Sequence, residues 1–328
     1  MTELAALLEA VAVFVRQYVV CSPPQLIAIV LWVAHTHALD AFDVTPYLNI
    51  KSAEPESGKT RLLDLLRCVV HKPWRVVETS AAALFRKIAA ETPCLLLDET
   101  DTIFGSKRDP VAEGLRGILN AGYERGASVP RCTGKNFEKL VDFPVFCSKA
   151  LAGLRDLPGT LSGRAVPIKL LRRKKDETVQ RFRRRIAEEE AQPLREQLGA
   201  WAATNIEVLR AADPITPDAL GDREAEIWGP LLTIADMAGG EWPARARAAA
   251  VDLHRGAAPV EGNGVRLLRA IRDVFAQHGG PRIFTAELLR ALVQREGEPW
   301  PAWWGKEVDE AESRRRGGSR AGPLRTWP

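Results

Sequence analysis

The chain has 328 residues, of which 46% are hydrophobic and 27% charged, a composition typical of a soluble globular protein with about two domains. The formal net charge is only +4, so composition alone does not indicate a nucleic-acid-binding protein. The five cysteines form no CxxC pair, which argues against a zinc site and favours reduced thiols in a cytoplasmic protein.

Two helices are predicted at the start of the chain. Apolar residues recur at helical spacing over residues 1–20, and a second helix follows Pro23 and continues to about residue 37. The apolar run at residues 26–34 is too short to span a bilayer, which needs ~20 residues. We therefore expect a buried helix and no membrane partner. His35 and His37 have no acidic partners nearby and are predicted to be structural.

Strands and helices then alternate. The predicted strands are residues 47–50, 74–77, 94–99, 143–148 and 165–170, and the predicted helices between them are residues 61–70, 79–90 and 112–123. This alternation predicts an α/β fold with a parallel sheet. After residue 171 the pattern is helical as far as residue 254. A linker at residues 256–263 and a small helical or winged unit at residues 265–308 are predicted to follow.

The segment AEPESGKT lies between the first predicted strand and the helix after it. It departs from the phosphate-binding pattern GxxxxGKT at its first position, where alanine adds only a methyl group. In such a loop the lysine reaches the β- and γ-phosphates and the threonine hydroxyl binds Mg²⁺. The residues predicted to bind ATP are Ala53, Glu54, Pro55, Glu56, Ser57, Gly58, Lys59, Thr60 and Arg61.

Two acids end the run CLLLDE. Asp98 is predicted to orient the Mg²⁺ shell together with Thr60, and Glu99 to polarise the attacking water as a general base. Glu99 follows Lys59 by 40 residues, a separation that we take to indicate neighbouring strands in the sheet.

Two further residues are candidates to act on the γ-phosphate. Ser148 is predicted at the end of a strand, where ring ATPases commonly sense that phosphate; the alternative is a strand ending in a solvated Lys149. Arg164 stands just before a strand, where an arginine of a ring ATPase reaches into the neighbouring subunit's site. A surface arginine is the alternative, and Arg155 is a second candidate. An arginine supplied by a neighbour predicts a homo-oligomer.

Several segments together resemble a family of phage and actinobacterial P-loop proteins, whose members are described as ATPases or are fused to primase and helicase modules. The resemblance covers roughly residues 18–310, and its segments are LWVAHTH, YLNIKSAEPESGKT, CLLLDETD, LRGILNAGYERGA, SKALAGLRDLPGTLSGR and DREAEIWGPLLTIADMAGGEWPARAR. It implies a core similar to AAA+ proteins and superfamily-three helicases, then a helical lid and a small C-terminal piece.

We therefore expect five regions. They are an N-terminal helical segment (1–40), a P-loop ATPase core (41–172), a helical lid (173–255), a winged-helix-like domain that we expect to be truncated (256–310) and a flexible tail (311–328).

Two basic segments are candidates for nucleic-acid contact. In superfamily-three helicases a hairpin at the position of residues 128–141 points into the central pore. Arg131, Lys135 and Lys139 are predicted to bind DNA phosphates there, with single strands favoured; an ordinary exposed turn is the alternative. The arginines of residues 172–185 are the second candidate. The alternative is that they form a solvated face and pair with the glutamates that follow.

The leading hypothesis is a Mg²⁺-dependent ATPase motor that assembles as a ring, for example a hexamer, on DNA. It would serve replication of a phage or mobile element, with a primase or another replication protein as partner. The alternative is an ATP-gated switch or adaptor that acts through protein partners. A nucleotide-binding scaffold without turnover and a small-molecule kinase are weaker alternatives.

Overall fold

The computed structural model describes residues 2–52, 57–104, 110–133, 135, 138–173, 177–255, 263–280, 282–295 and 324–325. The chain divides into two compact units, Met1–Gly256 and Ala257–Pro328. The strands of the larger unit are β1 (Tyr47–Lys51), β2 (Pro73–Val76), β3 (Cys94–Leu97), β4 (Ser128–Thr133), β5 (Lys139–Pro144), β6 (Lys149–Gly153) and β7 (Ala165–Lys169). Its α-helices are α1 (Glu3–Tyr18), α2 (Pro23–His37), α3 (Lys59–Val69), α4 (Ala81–Glu91), α5 (Thr100–Phe104), α6 (Pro110–Ala121), α7 (Gly159–Ser162), α8 (Arg184–Arg210), α9 (Asp222–Ala238) and α10 (Trp242–His254).

Five strands form a parallel sheet in the order β2-β3-β6-β1-β7, which confirms the predicted α/β fold with a parallel sheet. Strands β3 and β6 are buried along their whole length, as expected when helices cover both faces of a parallel sheet. The predicted neighbouring positions of β1 and β3 are wrong, because β6 lies between them.

The register brings the ends of four strands to one edge of the sheet. Lys51 of β1 pairs with Gly153 of β6 and with Lys169 of β7, and Leu97 of β3 pairs with Leu151. Since ligands of open parallel sheets bind outside the carboxyl ends of the strands, this edge is where a site is expected. We call it the carboxyl edge.

Helices cover the two faces of the sheet. The connection from β1 to β2 runs across β6 and β3 toward one side of the sheet. The connections from β2 to β3, from β3 to β6 and from β6 to β7 run in the opposite direction. Because parallel crossovers are right-handed, α3 covers one face and α4 to α7 cover the other. In agreement, α3 packs on α1 and α8, and α4 packs on α6 and β5.

Helix α2 is the centre of the helical layer. Its residues from Gln25 to Thr36 are all buried, and it packs against α1, α8, α9 and α10. Its predicted start at the two prolines is confirmed: Ser22 and Gln25 form a capping box, and the Gln25 amide also donates to the Lys169 carbonyl at 2.6 Å. Helices α8 to α10 therefore pack closely on the N-terminal helices, within the same unit.

The smaller unit contains helix α11 (Asn263–His278), helix α12 (Thr285–Val293) and two short strands, β8 (Arg282–Ile283) and β9 (Leu324–Arg325), which pair antiparallel. Its buried core consists of Ala270, Val274, Ile283, Leu288 and Leu292. The predicted winged-helix character of this unit stays a prediction. Among the described helices, none has both the length and the apolar character needed to cross a bilayer.

Candidate functional site

The predicted phosphate-binding loop leaves β1 at the carboxyl edge and leads into α3. Ser52 is buried directly after the strand, and Gly58 precedes the first helical residue, Lys59. Gly58 has φ +91°, a left-handed conformation that glycine adopts without strain. The predicted ATP-binding residues 53–56 lie outside the described residues, so the described part of the loop is residues 57–61.

Lys59 lies among carboxylates. Its ammonium is 3.5 Å from the Ser57 hydroxyl. Burial lowers the pKa of Lys59, while the negative charges of Asp101 and Asp98 oppose that shift. The structure thus brings Lys59 near the acids at the end of β3, although the two strands are not neighbours.

Thr60 and Asp98 meet at the same place. The Thr60 hydroxyl donates to Oδ2 of Asp98 at 3.4 Å, and the backbone N–H of Glu99 donates to Oδ1 at 3.0 Å. Asp98 is only 8% exposed, whereas Glu99 is exposed and has φ +54°. Strand β3 ends at Leu97, and the left-handed backbone of Glu99 places the carboxylate of this residue toward solvent.

These donors fit a magnesium ion that shares its shell with phosphate. A hydroxyl and a carboxylate oxygen are ligands that Mg²⁺ accepts, and Mg²⁺ is commonly held by one or two carboxylates with phosphate and water as the remaining ligands. Within the described ranges, no three or more His, Cys, Asp or Glu side chains cluster so as to hold a metal ion by themselves. The site therefore suits a cation that arrives with a phosphate ligand.

Sequence reasoning missed an arginine that contacts Asp98. Arg75, in β2, donates from Nη2 to Oδ2 of Asp98 at 2.8 Å and from Nη1 to Oδ1 of Asp64 in α3. All three side chains are at most 20% exposed. The available signal was a single charged residue within the otherwise apolar run PWRVV.

Asp101 shapes the same edge and was also missed. Its carboxylate accepts from the backbone N–H groups of Leu154 and Arg155, the two residues that follow β6. Gly153 allows this approach, because a Cβ atom there would lie 2.3 Å from the Thr100 hydroxyl. Arg155, the second finger candidate, is thus exposed at the carboxyl edge of its own chain.

Ser148 lies at the other edge of the sheet. The predicted strand at residues 143–148 is wrong, because β5 ends at Pro144 and β6 begins at Lys149. Ser148 is buried at the amino end of β6, where its hydroxyl accepts from Thr45 at 3.4 Å. The structure does not bring it to Lys59 and Asp98.

The reason for this error is Lys149. It is fully buried, and its ammonium donates to the carbonyls of Gly122 at 2.9 Å and Cys147 at 2.8 Å and lies 4.7 Å from the Tyr47 ring centre. The prediction of a solvated lysine at a strand end is therefore wrong. A backbone carbonyl shell, which the local sequence does not show, lets a lysine begin a buried strand.

Arg164 is at the amino edge as well. It immediately precedes β7, and its Nη1 donates to the Thr160 carbonyl at 2.6 Å, with the guanidinium 5.5 Å from the Tyr123 ring centre. A strand of this length separates the two edges by about 16 Å. Arg164 is thus at the opposite edge of the sheet from Lys59 and Asp98 of its own chain.

The predicted hairpin is present as two antiparallel strands, β4 and β5. Lys135 and Lys139 are exposed, and Arg131 is partly covered, with its guanidinium 5.2 Å from the Phe85 ring centre. Residues 134, 136 and 137 lie outside the described residues. Two of the three predicted DNA-contacting cations therefore face solvent.

A pocket of about 400 Å³ adjoins the described part of the loop. One wall is formed by residues 57–61, and the remaining lining residues are Tyr18, Val19, Val20, Leu171, Arg173 and Val179. The Arg61 guanidinium lies 4.4 Å from the Phe182 ring centre, and the Tyr18 hydroxyl donates to Glu190 at 2.8 Å. The start of α3 is thus in contact with the segment that leads into α8.

Two comparisons with known proteins bear on the chain. Residues 169–316 match a family described as "Protein of unknown function (DUF3631)". The chain is also 41% identical over 134 residues to the "Uncharacterized 28.9 kDa protein in xis 5'region" of Saccharopolyspora erythraea, an alignment that covers 40% of this chain and 49% of that protein.

The extent of these matches limits what they indicate. The chain spans about half the length of the curated relative. The family match begins at the last residue of β7 and continues through α8 to α12. It therefore concerns the helical part of the chain, beyond Lys59, Thr60 and Asp98.

Proposed function

We propose that the protein is a Mg²⁺-dependent ATPase with its nucleotide site at the carboxyl edge. The observation that carries this proposal is the contact between Thr60 and Asp98. These residues follow β1 and β3, which are separated in the sheet by β6. A phosphate-binding helix start, a cation-binding hydroxyl and a carboxylate at one sheet edge support phosphate chemistry.

Each residue has a distinct part in the proposed reaction. Lys59 binds the β- and γ-phosphates, and Thr60 and Asp98 hold Mg²⁺, which offsets charge on the transferred phosphoryl group. Glu99 takes the proton of the attacking water. The exposure of Glu99 to solvent favours hydrolysis over transfer to another acceptor. The apolar wall of the adjoining pocket suits the base of the nucleotide.

A ring-forming motor is the assembly that we favour. Arg164 is about 16 Å from the carboxyl edge of its own chain, which supports its use by a neighbouring subunit in a homo-oligomer. The exposed lysines of the β4–β5 hairpin support contact with single-stranded DNA. Replication of a phage or mobile element, with a primase or other replication partner, is the setting that the family resemblance implies.

One observation favours the second candidate, an ATP-gated switch or adaptor. Arg61 follows the Mg²⁺-binding Thr60 and contacts Phe182, two residues before α8 begins. Nucleotide binding at the start of α3 can therefore move α8 without any role for DNA.

ATP hydrolysis with and without single-stranded DNA, together with particle mass in nucleotide, tests the proposal. For an ATPase motor we expect turnover that DNA stimulates and a particle of several subunits. Glu99→Gln should bind ATP without turnover. Turnover without DNA stimulation would favour the switch, and an absence of ATP binding at saturating Mg²⁺ would refute both.

A further inference from the structure

We propose that Arg75 is a stand-in cation for Asp98: it holds the carboxylate in the cation-free protein and withdraws toward Asp64 when Mg²⁺ binds. This inference rests on the proposed function, because it concerns the same cation site. Arg75 is a positioning residue and is assigned no contact with nucleotide.

The contacts show a shared oxygen. Oδ2 of Asp98 accepts from Arg75 at 2.8 Å and is also the oxygen that the Thr60 hydroxyl approaches at 3.4 Å. The Arg75 guanidinium and a Mg²⁺ held by Thr60 and Asp98 would therefore compete for the same carboxylate oxygen.

Such a partner stabilises the cation-free site. The Asp98 side chain is 12% exposed, and a carboxylate removed from water is costly unless a positive charge or hydrogen bonds compensate it. Arginine stays protonated at all relevant pH values, so Arg75 supplies that charge permanently.

The bound cation changes the balance. Mg²⁺ lies ~2.1 Å from its oxygen ligands, so a guanidinium in hydrogen-bond contact with the same oxygen repels it. Asp64 is a second partner of the Arg75 guanidinium, and this ion pair remains after the guanidinium leaves Asp98. The ion pair between Asp64 and Arg75 thus determines how readily Asp98 becomes available to bind Mg²⁺.

This competition predicts opposite effects for two variants. Arg75→Gln removes the competing charge, so it should lower the Mg²⁺ concentration for half-maximal binding of a fluorescent ATP analogue by about tenfold, the size of one charge-assisted hydrogen bond. Asp64→Asn removes the second partner, so it should tie Arg75 to Asp98 and raise that concentration by several-fold. A purely structural role would impair both variants in the same direction.

The experiment is a Mg²⁺ titration of analogue binding to the full chain. Arg86→Gln removes an exposed arginine from α4 and is the charge-matched control, which should match the wild type. Binding of the analogue measured in EDTA should be equal in the wild type and the three variants. This control separates effects on Mg²⁺ binding from effects on nucleotide binding. Thermal melts check folding, and Asp64→Asn tests the idea even if Arg75→Gln does not fold.

The outcomes separate the two proposals. If the wild type binds no analogue at saturating Mg²⁺, the proposed function fails and the role of Arg75 fails with it. If the wild type binds in a Mg²⁺-dependent manner but the two variants shift together, or neither shifts, only the stand-in role of Arg75 is refuted.

Discussion

The left-handed backbone of Glu99 offers a sharp test of the site. A non-glycine residue in this region costs about 1–2 kcal/mol, and such residues concentrate at functional sites. Glu99, with φ +54°, directly follows Asp98, the proposed Mg²⁺ ligand. Removing the side chain in two ways separates the backbone strain from the chemistry of the carboxylate.

Both Glu99→Ala and Glu99→Gly remove the carboxylate, but only glycine removes the strain. Glycine loses about 0.5–1 kcal/mol more chain entropy on folding than alanine, so the net advantage of glycine over alanine at this position is about 0–1.5 kcal/mol. At an exposed helical position the order reverses, and glycine is about 1 kcal/mol less stable than alanine. Gln197, exposed within α8, provides that control.

The assay is urea unfolding of all four variants, followed by tryptophan fluorescence, to which the buried Trp32 and Trp228 contribute. We expect glycine to be the more stable residue at position 99 and the less stable one at position 197. Both variants at position 99 should bind ATP and lack turnover. If alanine were the more stable residue at both positions, Glu99 would not have the left-handed conformation in solution, and the argument from strain would fail.

Three other predictions concern single residues. Lys59→Ala should lose detectable ATP binding in a fluorescence titration, because the ammonium is the cation that reaches the phosphates; retained binding would contradict that role. Arg164→Ala should bind ATP without turnover, and mixing it with inactive Lys59→Ala subunits should restore partial activity; an inactive mixture that still assembles would contradict a finger supplied in trans. Burial lowers the pKa of His35 from 6.5 to about 3, so the unfolded chain takes up the proton first as the pH falls. This histidine should therefore remove about 3 kcal/mol of stability between pH 7.5 and pH 4.5, and in urea unfolding His35→Gln should abolish that part of the pH dependence, whereas an unchanged slope would contradict the assignment.

Much of the local structure follows from the sequence. The fully buried β3 is a continuous apolar run, and two prolines mark the start of α2. The order strand, glycine, lysine-threonine, helix is what the structure shows around β1 and α3, except that residues 53–56 are outside the described part. These features depend on neighbouring residues, so a linear pattern is sufficient to predict them.

Long-range pairing decided the rest. The position of β6 between β1 and β3 depends on backbone hydrogen bonds with distant strands, which the side-chain pattern does not specify. The same is true of Arg75, whose two carboxylate partners come from α3 and from the end of β3.

By itself the sequence determined the alternation of strands and helices, and it marked Lys59, Thr60, Asp98 and Glu99 as candidates. Only the tertiary structure decided which candidates share an edge of the sheet. It placed Ser148 and Arg164 at the amino edge, because a lysine stabilised by the backbone carbonyls of Gly122 and Cys147 begins β6 and strand direction fixes which end of each strand faces the site.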